Sequence, residues 1–361
     1  MHKKLRFVRV ISYLRIGGVE KRMFYVLKGI KDYSVFDPSV IVIHSKGKLA
    51  SMFENAKIPV QLIRFKSRFD PIALVKMVCY LKKFNISFIH AHMYRPGVSS
   101  TVAALIAGIP IIYNVHNLDQ WDNRRQILVD KFLNRFRSKI VCVSYAVLRD
   151  YILKTKCNAN KISVVYNGTM IPEKVSRNNY SCPVSGDVNI LCVSRFVPHK
   201  RIDRVLYFFE LLSKKVDCVR LIIVGGGPLL RVYKDKYGYN NSITFTGEVI
   251  DVDRYYLLSD FFILMSDKEG LSNSIIESMS YGCVPLVSNV GGNCEIVENG
   301  KCGIVENNIY KAVEKVSKLM FYPKLFLKKS ISAKSRVSRK FNINKMVRDT
   351  LILYGKICQL T

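Results

Sequence analysis

The chain has few of the devices that disulfide-stapled or metal-dependent proteins depend on. Its ten cysteines (79, 142, 157, 182, 192, 218, 283, 294, 302 and 358) include no C-x-x-C pair and no metal-type spacing. Most lie in apolar runs, as Cys142 in IVCVS and Cys192 in ILCVS, where a thiol behaves as a small buried hydrophobe. A reduced cytoplasmic chain with neither disulfides nor structural zinc is expected. Acid is scarce too: 27 Asp and Glu face 57 Lys and Arg, a net charge of +30. An export signal is not expected, because Arg6, Arg9 and Arg15 interrupt what would be its apolar core. The 23 residues from Pro96 to Leu118 carry no formal charge, but Gly108, Pro110, Asn114 and His116 interrupt them. A helix over about 97–107 and a buried strand over about 109–115 explain that stretch better than a membrane span.

What is present is the material for two folded domains. The 361 residues are 49% hydrophobic and 23% charged, with 20 Gly and 11 Pro, which excludes disordered, collagenous and low-complexity classes. Charge is uneven: residues 1–180 hold 31 Lys and Arg against 10 acids, and residues 181–361 hold 26 against 17. Such a balance suits a nucleic-acid surface, an anionic membrane surface or plain solubility, and charge alone does not choose among them.

Short β-rich runs alternate with amphipathic stretches, the signature of βαβ units and parallel sheets. Strands are expected at 5–12, 38–44, 86–92, 109–115, 140–144 and 161–168, with helices over 18–30, 71–84 and 124–137, the last very basic. Residues 171–187 hold two prolines and many turn formers, which marks an interdomain linker. A second series follows: strands at 188–194, 219–225, 242–247, 261–266 and 284–289, helices at 202–214, 228–238, 253–259 and 272–281. The tail, 323–349, carries nine Lys and Arg and one acid on helices that end near 358. The domains are therefore set at 1–172, a linker at 173–187, 188–340, and a final helical segment at 341–361.

In a doubly wound sheet, ligands bind beyond the carboxyl ends of the strands, and four places there hold unusual residues. Gly17-Gly18-Val19-Glu20 opens a helix: either backbone amides approach an anion, or this is a tight turn with Glu20 complementing the helix dipole. Arg195 and Lys200 flank a strand exit and suit a diphosphate, unless they are solvated surface cations. Glu269-Gly-Leu-Ser-Asn-Ser-Ile-Ile-Glu277 runs into a helix whose open N–H groups would lie near Ser272, Asn273 and Ser274. Its buried acids need donors such as sugar or ribose hydroxyls, unless both are exposed beside an ordinary capped helix. Gly291-Gly292-Asn293-Cys294-Glu295 repeats the strand, glycine and acid arrangement. His116 ends a strand in the first half. His90 and His92 share one face of another strand, where structural roles outweigh a metal pair because no third ligand is nearby. Asp253 reads as a helix cap rather than half of a metal site. Gly225-Gly226-Gly227 lacks the third spaced glycine and ribose-binding acid of a nicotinamide site.

Together, the run EGLSNSIIESMSYGCVPLVSNVGGNCEIVENGKCGIV (269–305), the early GGVE, SRFVPHKRID and VYNG closely resemble the retaining GT-B glycosyltransferases, specifically glycosyltransferase family 4. The resemblance covers nearly the whole chain and is strongest in the second half. It implies an α/β fold of two Rossmann-like domains whose parallel sheets face a central cleft, and an acceptor-binding first domain. It also implies a second domain that binds a nucleotide sugar, and a last helix that crosses back to the first. Arg195 and Lys200 would neutralise the departing diphosphate, Glu277 would hold the ribose, and Glu269 would contact the donor sugar. Gly270, Leu271, Ser272, Asn273 and Ser274 would line the sugar and phosphates. Gly17 and Gly18 would approach the donor phosphate, and His116 would sit by the reacting sugar. The leaving phosphate would take the acceptor's proton. No cofactor and no metal is implied.

The resemblance also implies a UDP-linked donor and a saccharide or polyprenyl-diphosphate-linked acceptor in bacterial capsule, O-antigen or exopolysaccharide synthesis. With the charge asymmetry, it implies a cytoplasmic enzyme held peripherally on an anionic inner-membrane surface, through the helix near Arg124–Arg137, and no nucleic-acid partner. Two departures stand out: Asn167-Gly168 is followed by Thr169 rather than Asp, and Ser194 stands where Gly often precedes the donor-site Arg. A nucleotide-sugar epimerase, a phosphorylase or a basic nucleic-acid-binding protein are the competing classes.

Overall fold

A computed structural model describes residues 4–359 except 16, 34, 122 and 173–187; the expected linker therefore lies outside the described residues. The chain forms two units, Met1–Gly168 with Ile343–Thr361, and Thr169–Asn342. The first boundary falls at Gly168 because Thr169 donates its N–H to Phe341 O and bridges Asn342, tying it to the second unit.

The first unit runs β1 (Leu5–Tyr13), α1 (Gly18–Tyr33), β2 (Phe36–Ser45), α2 (Ala50–Asn55), β3 (Val60–Leu62), α3 (Pro71–Lys83), β4 (Phe88–His92), α4 (Tyr94–Ala107), β5 (Ile111–Val115), α5 (Arg124–Leu133), β6 (Lys139–Cys142), α6 (Tyr145–Thr155) and β7 (Ile162–Val164). Its strands are all parallel, in the order β3-β2-β1-β4-β5-β6-β7. Order reverses at the β1/β4 pair, where successive crossovers leave on opposite faces and open a crevice at the strands' carboxyl ends. The central strands β4 and β5 are buried along their whole length, and they carry His90, His92 and Asn114 into that interior. Phe7, Phe36 and Phe88 pack around Tyr354 with ring centroids 4.8–5.6 Å from its own.

The second unit runs β8 (Val188–Val193), α7 (Ile202–Ser213), β9 (Val219–Val224), α8 (Leu230–Tyr237), β10 (Ile243–Gly247), α9 (Asp253–Leu258), β11 (Phe261–Leu264), α10 (Asn273–Ser280), β12 (Val284–Val287), α11 (Asn293–Ile296), β13 (Ile304–Val305), α12 (Ile309–Phe321) and α13 (Pro323–Lys340). Its parallel sheet, β10-β9-β8-β11-β12-β13, repeats the reversal at β8/β11. The last helix, α14 (Ile343–Ile357), belongs to the first unit and packs on α1, where Val347 fills the space beside Gly29.

Three expectations need correction. The basic helix foreseen to residue 137 stops at Leu133, because Asn134 and Arg137 turn inward; Arg137 is fully buried and pairs with Asp130 at 2.7 Å. Of the pair Asp251-Val-Asp253, Asp253 is the first helical residue of α9, and Asp251 makes the capping-type bond, its Oδ1 accepting the Asp253 N–H at 3.1 Å. The uncharged stretch gives α4 and β5, with α4 beginning three residues earlier than foreseen, at Tyr94. Among the described residues, no helix is long and apolar enough to cross a membrane.

Candidate active site

In the second unit the chemistry gathers at the carboxyl ends of β8 and β11. Lys200 ends a short 3-10 turn, Pro198–Lys200, that follows β8, and its Nζ lies 2.5 Å from Glu269 Oε1. Ser266, just beyond β11, donates to the same oxygen at 2.7 Å. The pair is largely shielded, the Lys200 side chain being 16% exposed and that of Glu269 8%, so neither charge is compensated mainly by water. Asp267 N–H to His199 O, 2.8 Å, locks the two loops together. Arg201 and Arg204 both reach Asp267 from the other side.

Arg195 differs. It is exposed and makes no side-chain hydrogen bond or ion pair among the described residues. Its backbone, however, is tightly held. Phe196 N–H donates to Gly226 O and Leu229 N–H to Phe196 O, and the three glycines after β9 make this approach possible. A Cβ on Gly225, whose φ is +138°, would lie 2.0 Å from Ser194 O. The glycine turn thus shapes the cation-bearing loop, a role its sequence did not reveal.

Glu277, half-buried on α10, receives the Tyr256 hydroxyl at 3.1 Å. Burial first, and then the Glu277 charge, push the Tyr256 phenol well above its usual range, so it stays a donor. Glu269 and Glu277 thus have separate partners. Between them, Gly270 O accepts the Gly292 N–H at 3.1 Å, which draws the Gly291-Gly292 turn onto this loop. Leu271 is buried, and Ser272 at the α10 N-cap makes no side-chain cap; it faces Ser274 Oγ at 3.2 Å.

In the first unit, Gly17 and Gly18 precede and open α1, with Glu20 folded back so that a Cβ on Gly17 would lie 2.5 Å from its Oε2. Burial raises the Glu20 carboxyl. His116 follows β5 at the end of a buried relay. Arg9 Nε and Nη2 donate to Tyr354 Oη at 3.1 and 3.0 Å, and Tyr354 Oη lies 2.8 Å from His90 Nδ1. His90 Nε2 is 3.3 Å from Asn114 Oδ1, and Asn114 Nδ2 is 3.1 Å from His116 Nε2. His92 Nδ1 approaches the same His116 atom at 2.9 Å.

With the Asn114 amide oriented so that Oδ1 faces His90 and Nδ2 faces His116, the hydrogen bonds select one set of proton positions. Arg9 can only donate, so Tyr354 donates onward to His90 Nδ1, leaving His90 Nε2–H for Asn114. His116 Nε2 accepts from Asn114 and His92, so its proton sits on Nδ1. Burial, and then Arg9 and Arg22, hold the His116 imidazole down at about 4. His116 is a neutral Nδ1–H donor at physiological pH, unsuited to removing a proton through Nε2. His90 and His92 take structural roles, and among the described residues no cluster of three metal-ligating side chains occurs. The sequence placed His116 but missed Arg9, Asn114, Tyr354, Tyr256 and Ser266. Only the alternation Phe88-Ile-His-Ala-His92, two polar rings in a buried strand, hinted at a relay.

Two nucleotide-binding-type sheets with this cation, glutamate and serine set define a glycosyl-transferring enzyme, and the comparisons agree. The model described as Glycosyltransferase Family 4 matches residues 16–170, and that of Glycosyl transferases group 1 matches 183–333. The O-antigen biosynthesis glycosyltransferase WbnH of Escherichia coli is 31% identical over 247 residues, 67% of this chain and 70% of its own. The Escherichia coli enzyme named UDP-Gal:alpha-D-GlcNAc-diphosphoundecaprenol alpha-1,3-galactosyltransferase is 25% identical over 79% of each chain. The crystal structure of Anabaena HepE in complex with UDP and glucose superposes with a TM-score of 0.82 at 19% identity, covering 97% of this chain and 99% of that one. The chain belongs to glycosyltransferase family 4 and has the GT-B class of fold.

Proposed function

We propose that this enzyme transfers a sugar, with retention, from a UDP-sugar to a lipid-diphosphate-linked saccharide during assembly of a bacterial surface polysaccharide. The observation that carries the reading is the shielded Lys200–Glu269–Ser266 group at the β8/β11 reversal. Such a lysine is held in place before substrate arrives, so charge developing on a departing diphosphate is met without reorganisation. Arg195 adds a forked donor on a fixed backbone, and the amides from Gly270 to Ser274 supply a helix N-terminus. Glu277 accepts ribose hydroxyls, and Glu269 a hydroxyl of the donor sugar. In the first unit, Gly17 and Gly18 offer backbone amides, and His116 offers an Nδ1–H donor. With His116 neutral and not basic, the acceptor's proton passes to the leaving diphosphate oxygen. No metal or cofactor takes part. The donor assignment is supported by the UDP in the HepE complex, and the acceptor assignment by the name of the galactosyltransferase.

We further place the enzyme peripherally on the cytoplasmic face of an anionic membrane. On α5 and the turn after it, Leu128, Phe132 and Phe136 are exposed beside Arg124, Arg125, Lys131 and Arg135. Apolar side chains flanked by cations suit an anionic interface, each cation contributing about 1 kcal/mol near the surface. The test is product analysis with labelled UDP-sugars and a lipid-diphosphate saccharide, in EDTA, with the anomeric configuration read by NMR. Retained configuration is expected; inversion, or an absolute need for a divalent cation, refutes the mechanism. Flotation with phosphatidylglycerol-containing vesicles, against vesicles of neutral lipid alone, tests the location, and recovery independent of anionic lipid overturns it.

A further inference from the structure

A cavity of about 590 Å³ in the first unit is lined by Ser67, Arg68, Tyr94, Arg95, His116 and Asn117, among others. Its wall is basic and unfinished. Arg68 and Arg95 form no ion pair among the described residues, and neither do Arg15, Arg64 or Lys66 near the same strand ends. Asp130, which accepts from Gln120 of the cavity wall, is already taken by Arg137 at 2.7 Å, both side chains being fully buried. Arg95 Nη2 donates to Lys66 O at 3.2 Å, while its buried Nε has no partner. Tyr94 is 8% exposed, and its hydroxyl, with the Arg68 side chain beside it, makes no close hydrogen bond among the described residues. The Arg68 guanidinium stands 5.2 Å from the Tyr94 ring centre.

The wall also includes the start of α4, a helix of 14 residues. Its N-cap, Met93, supplies no side-chain cap and holds φ at +68° with ψ at +169°, a sparsely populated conformation for a non-glycine residue. Pro96, third in the helix, has no N–H, so the two amides before it are the open ones. Two unpaired guanidinium groups, a buried phenol without a close hydrogen bond and the positive end of a helix meet in one concavity that His116 also lines. A group with several anionic oxygens satisfies all of them, and a neutral saccharide does not.

We propose that this cavity seats the diphosphate of the lipid-linked acceptor. Arg68 and Arg95 grip the phosphoryl oxygens, Tyr94 Oη donates to one, and the saccharide is thereby aligned beside His116. The inference rests on the reading of the enzyme as acting on a lipid-linked acceptor. It names Arg68 and Arg95 as the residues that distinguish such an acceptor from a free sugar. The phenyl ring of Phe69 and the side chains of Ile72 and Val75 on α3, all at least 60% exposed, follow directly in the chain and give the attached lipid an apolar path.

The test measures binding and not turnover, so it stands even if the donor or the transfer chemistry has been misread. The full-length chain is titrated by calorimetry with farnesyl diphosphate, farnesol, inorganic pyrophosphate and UDP. Farnesyl diphosphate is expected to bind, farnesol at least about tenfold more weakly, as loss of two charge-assisted contacts requires. Arg68→Gln and Arg95→Gln should each weaken farnesyl diphosphate and pyrophosphate by about tenfold and leave UDP within about twofold. Asn117 is exposed on the cavity wall, so Asn117→Asp should fold normally, weaken the diphosphates and spare UDP; Asn117→Lys should strengthen them. If the arginine variants and Asn117→Asp leave both diphosphates unaffected, the cavity is not their seat. If UDP falls in parallel, the cavity serves the donor, and the proposal is equally overturned.

Discussion

The hydroxyl of Tyr354, on the last helix, lies 2.8 Å from Nδ1 of His90 in the middle of the first sheet, 264 residues away in sequence. Through Arg9, Tyr354, His90 and Asn114 the C-terminal helix sets which nitrogen of His116 carries its proton. Tyr354→Phe keeps the ring among Phe7, Phe36 and Phe88 but leaves the buried Arg9 donors and His90 Nδ1 without their partner. The expected cost in urea unfolding is about 1–3 kcal/mol. A fall in kcat of roughly tenfold, the equivalent of about 1.4 kcal/mol, should accompany it as the His116 tautomer loosens. Unchanged stability in this variant would show that the relay is not formed.

The same cluster makes the first unit acid-sensitive. Burial is the largest cause holding His90, His92 and His116 below the ordinary imidazole range, with the Arg9 charge adding to it. In the unfolded chain these rings take protons near pH 6.5; folded, they refuse them, His116 down to about 4. The unfolded state therefore binds more protons as pH falls below 6.5, and stability must drop through that window while remaining level for these groups above it. Each unit of depression is worth about 1.4 kcal/mol per ring. Unfolding midpoints measured from pH 7.5 to 4 should decline, and imidazole ¹⁵N shifts at pH 6 should report neutral rings with His116 protonated on Nδ1. An imidazolium at His116 at that pH contradicts the placement.

How much of this could be read from the sequence follows from how local each signal is. The strand series was visible, because βαβ units advertise themselves by alternation of apolar runs and amphipathic helices over a few tens of residues. The short α2, β3 and α11, of three to six residues, were missed because so few positions carry no period. α6 and α12 were missed although Ser144 and Asn308 cap them in the ordinary way. Arg195, Lys200 and Glu269 stood out in sequence because each lies in a segment that follows a strand, and Glu277 because it sits in the helix which such a segment opens. Their holders were not: Ser266 and Tyr256 are unremarkable in sequence, and Tyr354 acts across the whole chain. The basic helix was carried on to residue 137 because composition does not show that Asp130, seven residues earlier, draws the Arg137 guanidinium inward.

Lys200 and Glu269 form a shielded pair whose members should be worth more together than apart. Removing either charge leaves the other stranded, at an expected cost of about 3–5 kcal/mol. Lys200→Met with Glu269→Gln removes both, and its destabilisation should fall clearly short of the two single losses combined, a coupling that a double-mutant cycle in guanidinium reads directly. Activity behaves otherwise: Lys200→Ala should lose on the order of a hundredfold in turnover, about 3 kcal/mol, with the fold retained. A near-normal rate would remove Lys200 from the mechanism.

Gly225 tests whether backbone shape, and not only side-chain charge, governs donor binding. Its φ of +138° is costly for any residue with a Cβ, and a methyl group there would meet Ser194 O at 2.0 Å. The clash is with backbone, so it cannot be relieved by a rotamer change; the 194–196 segment must shift. That segment carries Arg195, whose side chain has no other anchor among the described residues, so displacement of its backbone moves the guanidinium directly. Gly225→Ala should therefore raise the KM for the nucleotide sugar about tenfold or more, at a folding cost of about 1–3 kcal/mol. Arg195→Ala serves as the companion: it should reproduce the KM effect without the loss of stability, because an exposed side chain is removed and no backbone is disturbed. If Gly225→Ala binds UDP as the native chain does while Arg195→Ala does not, the glycine turn has no part in placing the cation. Equal weakening in both, together with no further loss when they are combined, establishes that the turn acts through Arg195.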